Sequence, residues 1–391
     1  MVAITATLER KRVTARHRHR SACAAGAAAL LAAGPSGALE WDYTPAATVT
    51  ALHDTNMLFK FDGAEPVNGR VVMGAAEVIG RNEGFDFHAT PRVDAQRFDD
   101  PAIVDRNNQY ADLGVALHDA RQRWSFGGNY ALEGTRNSQF EANGLPAVDF
   151  DRKQTGVNTS WTRLVERGQF DIAASATSVD YQDSPLSPYR DYRYDVLQGD
   201  YSRATNERSR WGFSLSRSEV KTDRGLVTTT STDARATWTH AFSATLQAHV
   251  GLGVLDATTD GFVSSSESAP ALDFNVAQAW PRWRLTVAGG RQLMPDGRGS
   301  LLREDRVQID AIRRVTQRLD VILAVAKTRD EYFTSLYDRD YWQNAVTVQW
   351  HLKRRWLVEG SVTDRGQQWV SLGLPSQTGV VSQFSVSYRG G

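Results

Sequence analysis

The sequence predicts an all-β protein: a transmembrane antiparallel up-and-down β-barrel of about eighteen strands, or sixteen if one pair of segments is not separate. Three observations predict this fold class. Apolar and polar residues alternate through segments of strand length from Trp41 to the end of the chain. The N-terminus has the pattern of an export signal, and the connections between the segments alternate between long and short.

The alternation is most regular between Arg303 and Thr363, which has the pattern of four consecutive strands. The apolar parity comprises Val307, Ile309, Ala311, Val315, Leu319, Val321, Leu323, Val325, Trp342, Val346, Val348, Trp350 and Leu352. The opposite parity is charged or polar. A period of two places alternate side chains on opposite faces of a sheet, whereas a helix needs apolar residues three and four apart. This stretch therefore predicts a sheet with one apolar and one hydrophilic face.

Residues 1–38 predict a cleaved signal peptide. The first twenty positions hold six basic residues against one acid, Glu9, and an Ala/Leu-rich run over 22–34 precedes the small residues of 35–38. A basic region, a short apolar region and small residues at the cleavage point define such a signal. We expect cleavage after Ala38 and one outer-membrane barrel domain over 39–391. The other interpretation is a basic tail with an Ala-rich helix.

The composition limits the partners and the chemistry. Cys23 is the single cysteine and lies inside the predicted signal, so the exported chain would have no disulfide. Removing the six basic residues and Glu9 from 45 basic and 45 acidic residues leaves 39 against 44, and this balance does not indicate a nucleic-acid partner. The sequence has no apolar run that is long enough for a transmembrane helix. Barrel strands escape such a test because lumen residues dilute their apolar residues.

Eighteen segments have the strand pattern. They are 42–53, 70–79, 84–98, 109–119, 122–134, 153–165, 168–180, 190–204, 210–221, 228–241, 244–257, 271–280, 283–294, 303–316, 318–329, 340–353, 355–365 and 379–389. Tryptophans concentrate at the segment ends, where the interfacial girdles of a membrane barrel lie, because an indole combines an apolar body with a polar N–H.

The lengths of the connections predict the orientation of the barrel. Connections after even-numbered segments are short, such as 120–121 and 166–167. Those after odd-numbered segments are mostly long and rich in Gly, Pro, Ser and Asp: 54–69, 135–152, 181–189, 258–270, 330–339 and 366–378. All long loops then emerge at one end. This predicts long extracellular loops, short periplasmic turns and both termini in the periplasm.

The sequence predicts no enzyme. Its histidines after residue 38 show no metal-ligand spacing, and cysteine ligands are absent there. No local motif places a catalytic group, and Gly-Leu-Gly at 251–253 and Gly-Gly at 289–290 lie within strands, where they are expected to relieve crowding in a curved sheet. We therefore expect no catalytic residue, no cofactor and no metal.

Nine charged residues have the inward parity and are predicted to line the lumen. They are Asp112, Glu133, Asp233, Arg235, Glu304, Arg306, Asp310, Arg314 and Glu359. Either these mixed charges neutralise one another across the wall, or they form a hydrophilic path that binds sugar hydroxyls. Tyrosines in the 181–189 and 332–337 loops favour sugar stacking or packing across the mouth of the barrel.

The chain resembles the bacterial outer-membrane barrels grouped as β-barrel porin 2. The resemblance rests on His53-Asp54-Thr55-Asn56, where that family often has an aromatic-Asp-Asp-Asn turn, on the Arg/Asp/Tyr-rich stretch 189–195, and on tight turns such as 166–168 and 206–208. His53 stands where the family has an aromatic residue. Members often occur with exopolysaccharide export systems, and the family has no agreed catalytic residues to transfer.

This resemblance implies an outer-membrane channel that exports an exopolysaccharide or a capsule-type polymer. The alternatives are a general diffusion porin for small hydrophilic solutes and a non-transporting surface scaffold or adhesin. The expected partners are outer-membrane lipid and lipopolysaccharide, periplasmic polysaccharide-export components, and the barrel-assembly machinery. The last strand, with Phe384, Val386 and Tyr388 alternating, resembles the signal for that machinery, although Arg389-Gly390-Gly391 follow the final aromatic residue.

Overall fold

The computed structural model describes residues 39–138, 149–182, 189–222, 225–261, 264–297, 301–332 and 338–390, so the predicted signal peptide lies outside the described residues. One short helix, α1 (Thr135–Ser138), is present. The strands are β1 (Glu40–Asp54), β2 (Val67–Asn82), β3 (Phe85–Phe98), β4 (Arg106–His118), β5 (Gln122–Gly134), β6 (Asp151–Val165), β7 (Gly168–Tyr181), β8 (Tyr192–Ala204), β9 (Ser209–Thr222), β10 (Thr228–Ala241), β11 (Leu246–Asp260), β12 (Ser265–Ala279), β13 (Trp283–Pro295), β14 (Leu301–Arg314), β15 (Leu319–Tyr332), β16 (Arg339–Lys353), β17 (Trp356–Trp369) and β18 (Gln377–Arg389).

These strands form one closed antiparallel barrel. Each strand pairs with its neighbours in the sequence, and β1 pairs with both β2 and β18. The β1–β18 ladder runs from Ala46–Arg389 to Asp54–Val381 and closes the sheet on itself. The prediction of an eighteen-stranded up-and-down barrel is confirmed. We call one end of the barrel the turn end: β1 begins there, β18 ends there, and each other even-numbered strand connects there to the next strand. The opposite end is the loop end.

The outward face of the barrel is apolar. In the stretch from Arg303 to Thr363, Val307, Leu323 and Val346 lie on this face and expose 47%, 43% and 49% of their surface. An apolar face that is continuous around a barrel does not occur on a soluble monomer, and it fits the hydrocarbon of a membrane. Among the described residues, no helix is long and apolar enough to cross a membrane.

Aromatic rings form an outward girdle near the turn end. Trp124 and Trp161 face each other across β5 and β6 with ring centroids 5.7 Å apart. Trp211 and Trp238 do the same across β9 and β10 at 6.1 Å. Paired indoles at one height on the outer wall fit the interface between hydrocarbon and headgroups.

The turn-end connections are tight and are closed by side chains. The Asp119 carboxylate accepts hydrogen bonds from the backbone N–H groups of Arg121 and Gln122 at 2.7 and 2.8 Å. These two donors hold the pKa of Asp119 below its ordinary value. In the β8–β9 turn, the Asn206 side chain accepts from the backbone N–H of Arg208 in the same way.

At the loop end, the strands are longer than the sequence predicts. The predicted loop 258–270 is mostly strand, because β11 continues to Asp260 and β12 begins at Ser265. The predicted loop 366–378 likewise loses its first residues to β17. The hydroxyl groups of Thr229 and Thr259 explain part of this extension, since they bond each other at 3.1 Å and are both buried. Threonine favours strands, so a polar composition here does not mean an irregular loop.

Candidate functional site

The inward face of the wall is the candidate functional surface. The strand register gives all nine of the predicted lumen residues the inward parity: Asp112, Glu133, Asp233, Arg235, Glu304, Arg306, Asp310, Arg314 and Glu359. The structure brings some of them together and keeps others apart. Their role in transport stays a prediction.

Asp233 and Arg235 belong to one ion-pair cluster on β10–β12. The Arg235 guanidinium donates to Asp233 at 2.8 Å and to Asp273 at 2.7 Å. The second oxygen of Asp273 lies 2.8 Å from His249 Nε2. Two carboxylates thus share one arginine, and His249 lies beside the second of them.

A second inward chain of polar groups crosses β3 to β6. Glu133 accepts from the Tyr110 hydroxyl at 2.9 Å and from Arg152 at 2.9 Å. Arg92 lies over the Tyr110 ring at 4.5 Å and donates to Asp94 at 2.9 Å. The carboxylates here are neutralised within the wall, as the first of the two interpretations of the lumen charges expects.

The remaining predicted residues lie apart. Gln308 donates to Asp310 at 2.8 Å and accepts from Arg306 at 3.1 Å. Near the turn end, Arg314 lies 3.7 Å from Asp320. Three others are placed as follows: Glu304 accepts from Gln292 at 2.8 Å, Glu359 accepts from Gln349 at 2.8 Å, and Asp112 lines a cavity of about 200 Å³ with His88 and Asn158. The nine residues do not converge on one point.

The wall is not continuous at the loop end. The ladder between β12 and β13 begins near the turn end at Ala279–Arg284 and stops at Asp273–Gly290. Beyond this point β12 pairs with β11, and β13 pairs with β14 as far as Pro295–Leu301. The ends of β13 and β14, residues 290–295 and 301–305, therefore separate from β12, while β14 stays paired with β15 up to Leu302–Tyr332. We call these two paired segments the β13–β14 tongue.

The tongue lies on the inner side of the neighbouring wall. Arg303 has the outward parity on β14, yet it forms an ion pair with Glu267, which has the inward parity on β12. Leu293 and Leu301, also of outward parity, pack with a buried cluster that includes Val179 and Val220 on the inner faces of β7 and β9. The side chains of the tongue that have the outward parity therefore pack against the inner face of the wall and not against the surroundings of the barrel.

The tongue also contacts the loop that joins β7 and β8. The backbone N–H of Arg190 donates to the carbonyl of Gly297 at 2.9 Å. Tyr189 stacks on Tyr181 with centroids 5.0 Å apart, and both rings are buried. The tyrosines that the sequence placed in this loop therefore pack the interior and do not offer an exposed surface to a sugar. The loop residues 183–188 and 333–337 lie outside the described residues.

Glycine, proline and arginine account for the departure of the tongue from the wall. A Cβ on Gly290 would lie 2.9 Å from the Leu272 carbonyl oxygen, and Pro270 has no N–H for a β12–β13 ladder. Side chains bond groups that the ladder leaves free: Arg235 donates to the Arg291 carbonyl at 2.9 Å and Arg291 donates to the Pro270 carbonyl at 3.4 Å.

The β1–β2 connection folds inward on another part of the wall. The backbone N–H of Asn56 donates to Asp54 at 3.0 Å, and the Asn56 amide donates to the carbonyls of Lys60 and Thr378 at 3.0 Å. Asp54 also pairs with Arg365. The Asp-Thr-Asn motif that carries the family resemblance thus anchors this connection to β17 and β18. We call residues 56–61 the Phe59 insert.

Phe59 is the centre of that insert. Its side chain is 2% exposed and packs on Tyr341, and the Arg365 guanidinium lies 4.8 Å from the ring centroid. Gln377 donates to the Phe59 carbonyl. The φ angle of Phe59 is 47°, in the left-handed region that an aromatic residue rarely adopts. The surrounding contacts hold this strained residue in place, a feature that often marks a functional segment.

A buried ion pair lies beside the insert. Arg339 and Asp330 are 0% and 1% exposed and are joined by bonds of 2.8 and 2.5 Å. Arg339 also lies 5.4 Å from the ring centroid of Tyr341, which connects the pair to Phe59. The loop-end wall of β15–β18 is therefore packed like a protein interior.

A cavity of about 570 Å³ lies along β8–β13, with Gln292 and Leu293 of the tongue in its lining. Hydroxyl groups form much of its surface, from Ser214, Ser216, Ser218, Ser231, Thr237 and Thr239, with the Asp233–Arg235–Asp273 cluster beside them. A surface of hydroxyls and paired charges both donates and accepts hydrogen bonds. This arrangement can solvate small polar molecules. Across the part of the chain that the structure describes, no group of three or more His, Cys, Asp or Glu residues could hold a metal ion.

Sequence reasoning did not single out most of the residues that shape the loop end. Arg152, Asp273 and Arg365 have ordinary inward parity, and nothing local shows that they join clusters. Two local features of the sequence do mark the loop end: Gly289-Gly290 within a strand, and the Asp54-Thr55-Asn56 turn. The first marks the base of the tongue and the second anchors the Phe59 insert.

The fold resembles solved outer-membrane porins. OccK2 (OpdF) of Pseudomonas aeruginosa in complex with glucuronate superposes with a TM-score of 0.54 at 11% identity, covering 90% of this chain and 98% of that chain. A BenF-like porin from Pseudomonas fluorescens Pf-5 gives 0.51 at 8% identity, with 89% and 98% covered. The chain has the fold of an outer-membrane porin.

This fold and the apolar outward face place the barrel in the outer membrane, as the sequence predicts. No protein-family model and no curated protein sequence matches the chain. Membership of the β-barrel porin 2 group therefore stays a prediction. So does the absence of catalytic activity, although the compared structures are porins.

Proposed function

We propose that the barrel is a channel for small hydrophilic solutes, and that the β13–β14 tongue and the Phe59 insert make it selective. The observation that carries the proposal is a closed wall whose inward face is polar and paired while its outward face is apolar. Eighteen strands about 4.8 Å apart and tilted by about 40° give a backbone diameter of roughly 35 Å, which wall side chains cannot fill. The lumen then holds water, the β13–β14 tongue and the Phe59 insert.

Small solutes have more support than a polymer. The sequence favours polysaccharide export through the family resemblance, and a polymer needs a wide and continuous lumen. Here two parts of the chain fold into the loop end and are held by buried contacts, Leu301 on the tongue and Phe59 on the insert. None of the compared structures named above is described as a polymer exporter. The general porin, which the sequence left as an alternative, fits these observations better.

The chemistry of the cavity favours uncharged or mixed-charge solutes that carry hydroxyl groups. Its hydroxyl-bearing wall can exchange hydrogen bonds with a sugar or a polyol, and Arg235 is neutralised by Asp233 and Asp273. One of the compared porins was solved with glucuronate, a sugar acid. We propose sugar-sized polyols as the class for this chain, with the hydroxyl-bearing wall as the contact surface.

Two measurements test the proposal. Purified barrel in a planar bilayer should conduct, and vesicles containing it should swell in small polyols faster than in oligosaccharides. The variant Asp233→Asn with Asp273→Asn should shift ion selectivity towards anions, because Arg235 then lacks its carboxylates. The control is Glu77→Gln, which removes a carboxylate that pairs with Arg389 near the turn end, away from the cavity. Absence of conductance in wild type and in Phe59→Gly would contradict a channel and favour a scaffold or adhesin.

A gene deletion separates solute uptake from polymer export. Surface polysaccharide should be unchanged in the deletion strain, whereas growth on a limiting polyol should slow. Loss of surface polysaccharide would support export instead. The partnership with the barrel-assembly machinery is likewise a proposal, supported by the alternation of Phe384, Val386 and Tyr388 in β18.

A further inference from the structure

The connections at the turn end of the barrel carry a net positive charge. Six of the eight contain exposed arginine, and together they hold seven arginines against four acids: Arg121, Arg167, Arg208, Arg282, Arg318, Arg354 and Arg355 against Glu83, Asp119, Glu166 and Glu207. The predicted mature chain is acidic as a whole, with 39 basic and 44 acidic residues, so the positive charge is concentrated at this end. A concentration of one sign of charge on a surface indicates a partner of the opposite sign.

Three further arginines lie on the outward face at the height of the aromatic girdle. Arg163 is opposite Phe170 in the β6–β7 ladder, and Arg203 is opposite Trp211 in the β8–β9 ladder. A third arginine, Arg313, is opposite Trp283 in the β13–β14 ladder, with its guanidinium 4.9 Å from the ring centroid. Directly opposed residues in a ladder share a face, so each cation stands beside an aromatic ring on the outer wall.

These three arginines differ from several outward cations of the loop end. There, Arg193 lies 2.9 Å from Asp195, Lys327 lies 3.5 Å from Asp340, and Arg329 lies 3.1 Å from Glu331. Within the described residues, neither Arg163, Arg203 nor Arg313 has a carboxylate within 4.0 Å. Among the described residues, no ion pair neutralises the positive charge of these three arginines.

We propose that Arg163, Arg203 and Arg313, with the turn arginines below them, bind the phosphates of anionic phospholipids in the periplasmic leaflet. An indole sits at the boundary between hydrocarbon and headgroups, so the guanidinium groups beside Trp211 and Trp283 lie at the depth of the lipid phosphates. Arg163 lies on the outward face two residues from Trp161 of the girdle, on its turn-end side. Arginine binds phosphate through a fork of N–H donors, and its attraction to an anionic surface adds over neighbouring cations. This inference does not depend on what the lumen transports.

A lipid fits these residues better than an acidic periplasmic protein does. The three side chains project from the outer wall into the plane of the membrane, and their ring partners Phe170, Trp211 and Trp283 have exposed fractions of 43%, 55% and 45%. A protein in the periplasm would reach the turn arginines but not this face. A lipid headgroup reaches both.

The test compares two triple variants with equal changes in charge. One is Arg163→Gln/Arg203→Gln/Arg313→Gln, and the control is Arg193→Gln/Lys327→Gln/Arg329→Gln on the outward face of the loop end. The full barrel is refolded into vesicles of phosphatidylcholine alone or with phosphatidylglycerol. The unfolding temperature is then read from the gel mobility of heated samples. We expect phosphatidylglycerol to raise the unfolding temperature of the wild type and the control, and the first variant to lose most of that rise.

Salt and inorganic phosphate complete the test. The rise in unfolding temperature that phosphatidylglycerol causes should shrink with added salt, because screening weakens an interfacial charge interaction. An equal rise in both variants would overturn the proposal, and so would an equal rise when inorganic phosphate is added to phosphatidylcholine vesicles, which would show binding of free anions. If the glutamine triple does not fold, Arg313→Gln and Arg313→Lys are compared by counting bound phosphatidylglycerol. Equal counts would then contradict a phosphate site at Arg313.

Discussion

The turn-end half and the loop-end half of the barrel satisfy their backbone hydrogen-bonding groups in different ways. Towards the turn end, the backbone groups of neighbouring strands bond each other, as in the β12–β13 ladder from Ala279–Arg284 to Asp273–Gly290. Towards the loop end, the tongue leaves that ladder, and the guanidinium groups of Arg235 and Arg291 bond the carbonyls of Arg291 and Pro270. The comparison teaches that a regular wall is encoded by local alternation, whereas an occupied lumen is encoded by contacts between residues far apart in the chain.

The largest expected difference between the halves concerns their ion pairs. Arg339→Ala leaves Asp330 buried without its charge partner, and breaking such a pair costs about 3–5 kcal/mol. The matched change at the turn end is Arg314→Ala, which removes a partly exposed pair with Asp320 and should cost about 0–1 kcal/mol. Urea unfolding of the barrel in detergent measures both. Equal losses would show that the loop end is not packed as described.

The next effect concerns the two faces of one strand in the wall. Val348 is outward and 42% exposed, whereas Gln349 is inward and donates to Glu359. Val348→Arg should impair membrane assembly, since an arginine on the lipid face near mid-bilayer costs about 2–4 kcal/mol. Gln349→Arg should assemble well, because it lies beside a carboxylate. If the two variants reach the outer membrane in equal amounts, the register of β16 is wrong.

A smaller effect is expected at the base of the tongue. Gly290→Ala places a Cβ 2.9 Å from the Leu272 carbonyl oxygen, and the backbone shift should cost about 1–3 kcal/mol. Gly360 is the control, because a Cβ there meets nothing within 4 Å, so Gly360→Ala should leave the stability unchanged or raise it slightly. Thermal unfolding of both variants decides, and a stable Gly290→Ala would mean that the wall and tongue are not in close contact at that point.

The smallest effect is a pH dependence at the turn end. The pKa of Asp119 is lower in the folded chain than in the unfolded chain, so its stabilisation is present above the unfolded pKa near 3.8 and is lost as the pH falls through the folded pKa. Asp119→Asn removes this titration. The folded fraction measured by gel mobility between neutral and acidic pH should therefore fall slightly less steeply for the variant. An identical slope would show that the carboxylate is not held by the turn.

The sequence predicts the wall well and the interior poorly, for physical reasons. Period-two alternation places Val307 and Glu304 on the correct faces without knowledge of any other strand. The same parity rule assigns Arg303 to the outer face, yet the tongue turns that face onto Glu267 of β12. Which inner wall the tongue meets depends on closure of the barrel, and closure pairs β1 with β18 across the whole chain.

Individual residues show the same limit. For Tyr181 and Tyr189 the sequence left sugar stacking and packing across the barrel mouth open, and their burial with Leu301 of a distant strand favours packing. Phe59 sits in a short apolar stretch, Met57 to Phe61, inside a segment that the sequence assigns to a loop, and its burial follows from Tyr341 and Arg365. Only local exceptions to the pattern, such as Gly289-Gly290, could have marked these places.

The β13–β14 tongue crosses the lumen to the β7–β8 connection, and an engineered disulfide tests this contact most directly. From Leu39 onward the chain has no cysteine, so Arg190→Cys with Gly297→Cys introduces a single pair. The hydrogen bond of 2.9 Å between their backbones brings these residues within disulfide reach. In barrels assembled in membranes, the double variant should cross-link on mild oxidation and run differently on a non-reducing gel, while each single variant should not. Two thiols that remain free and react with a polar reagent in the folded barrel would contradict the account.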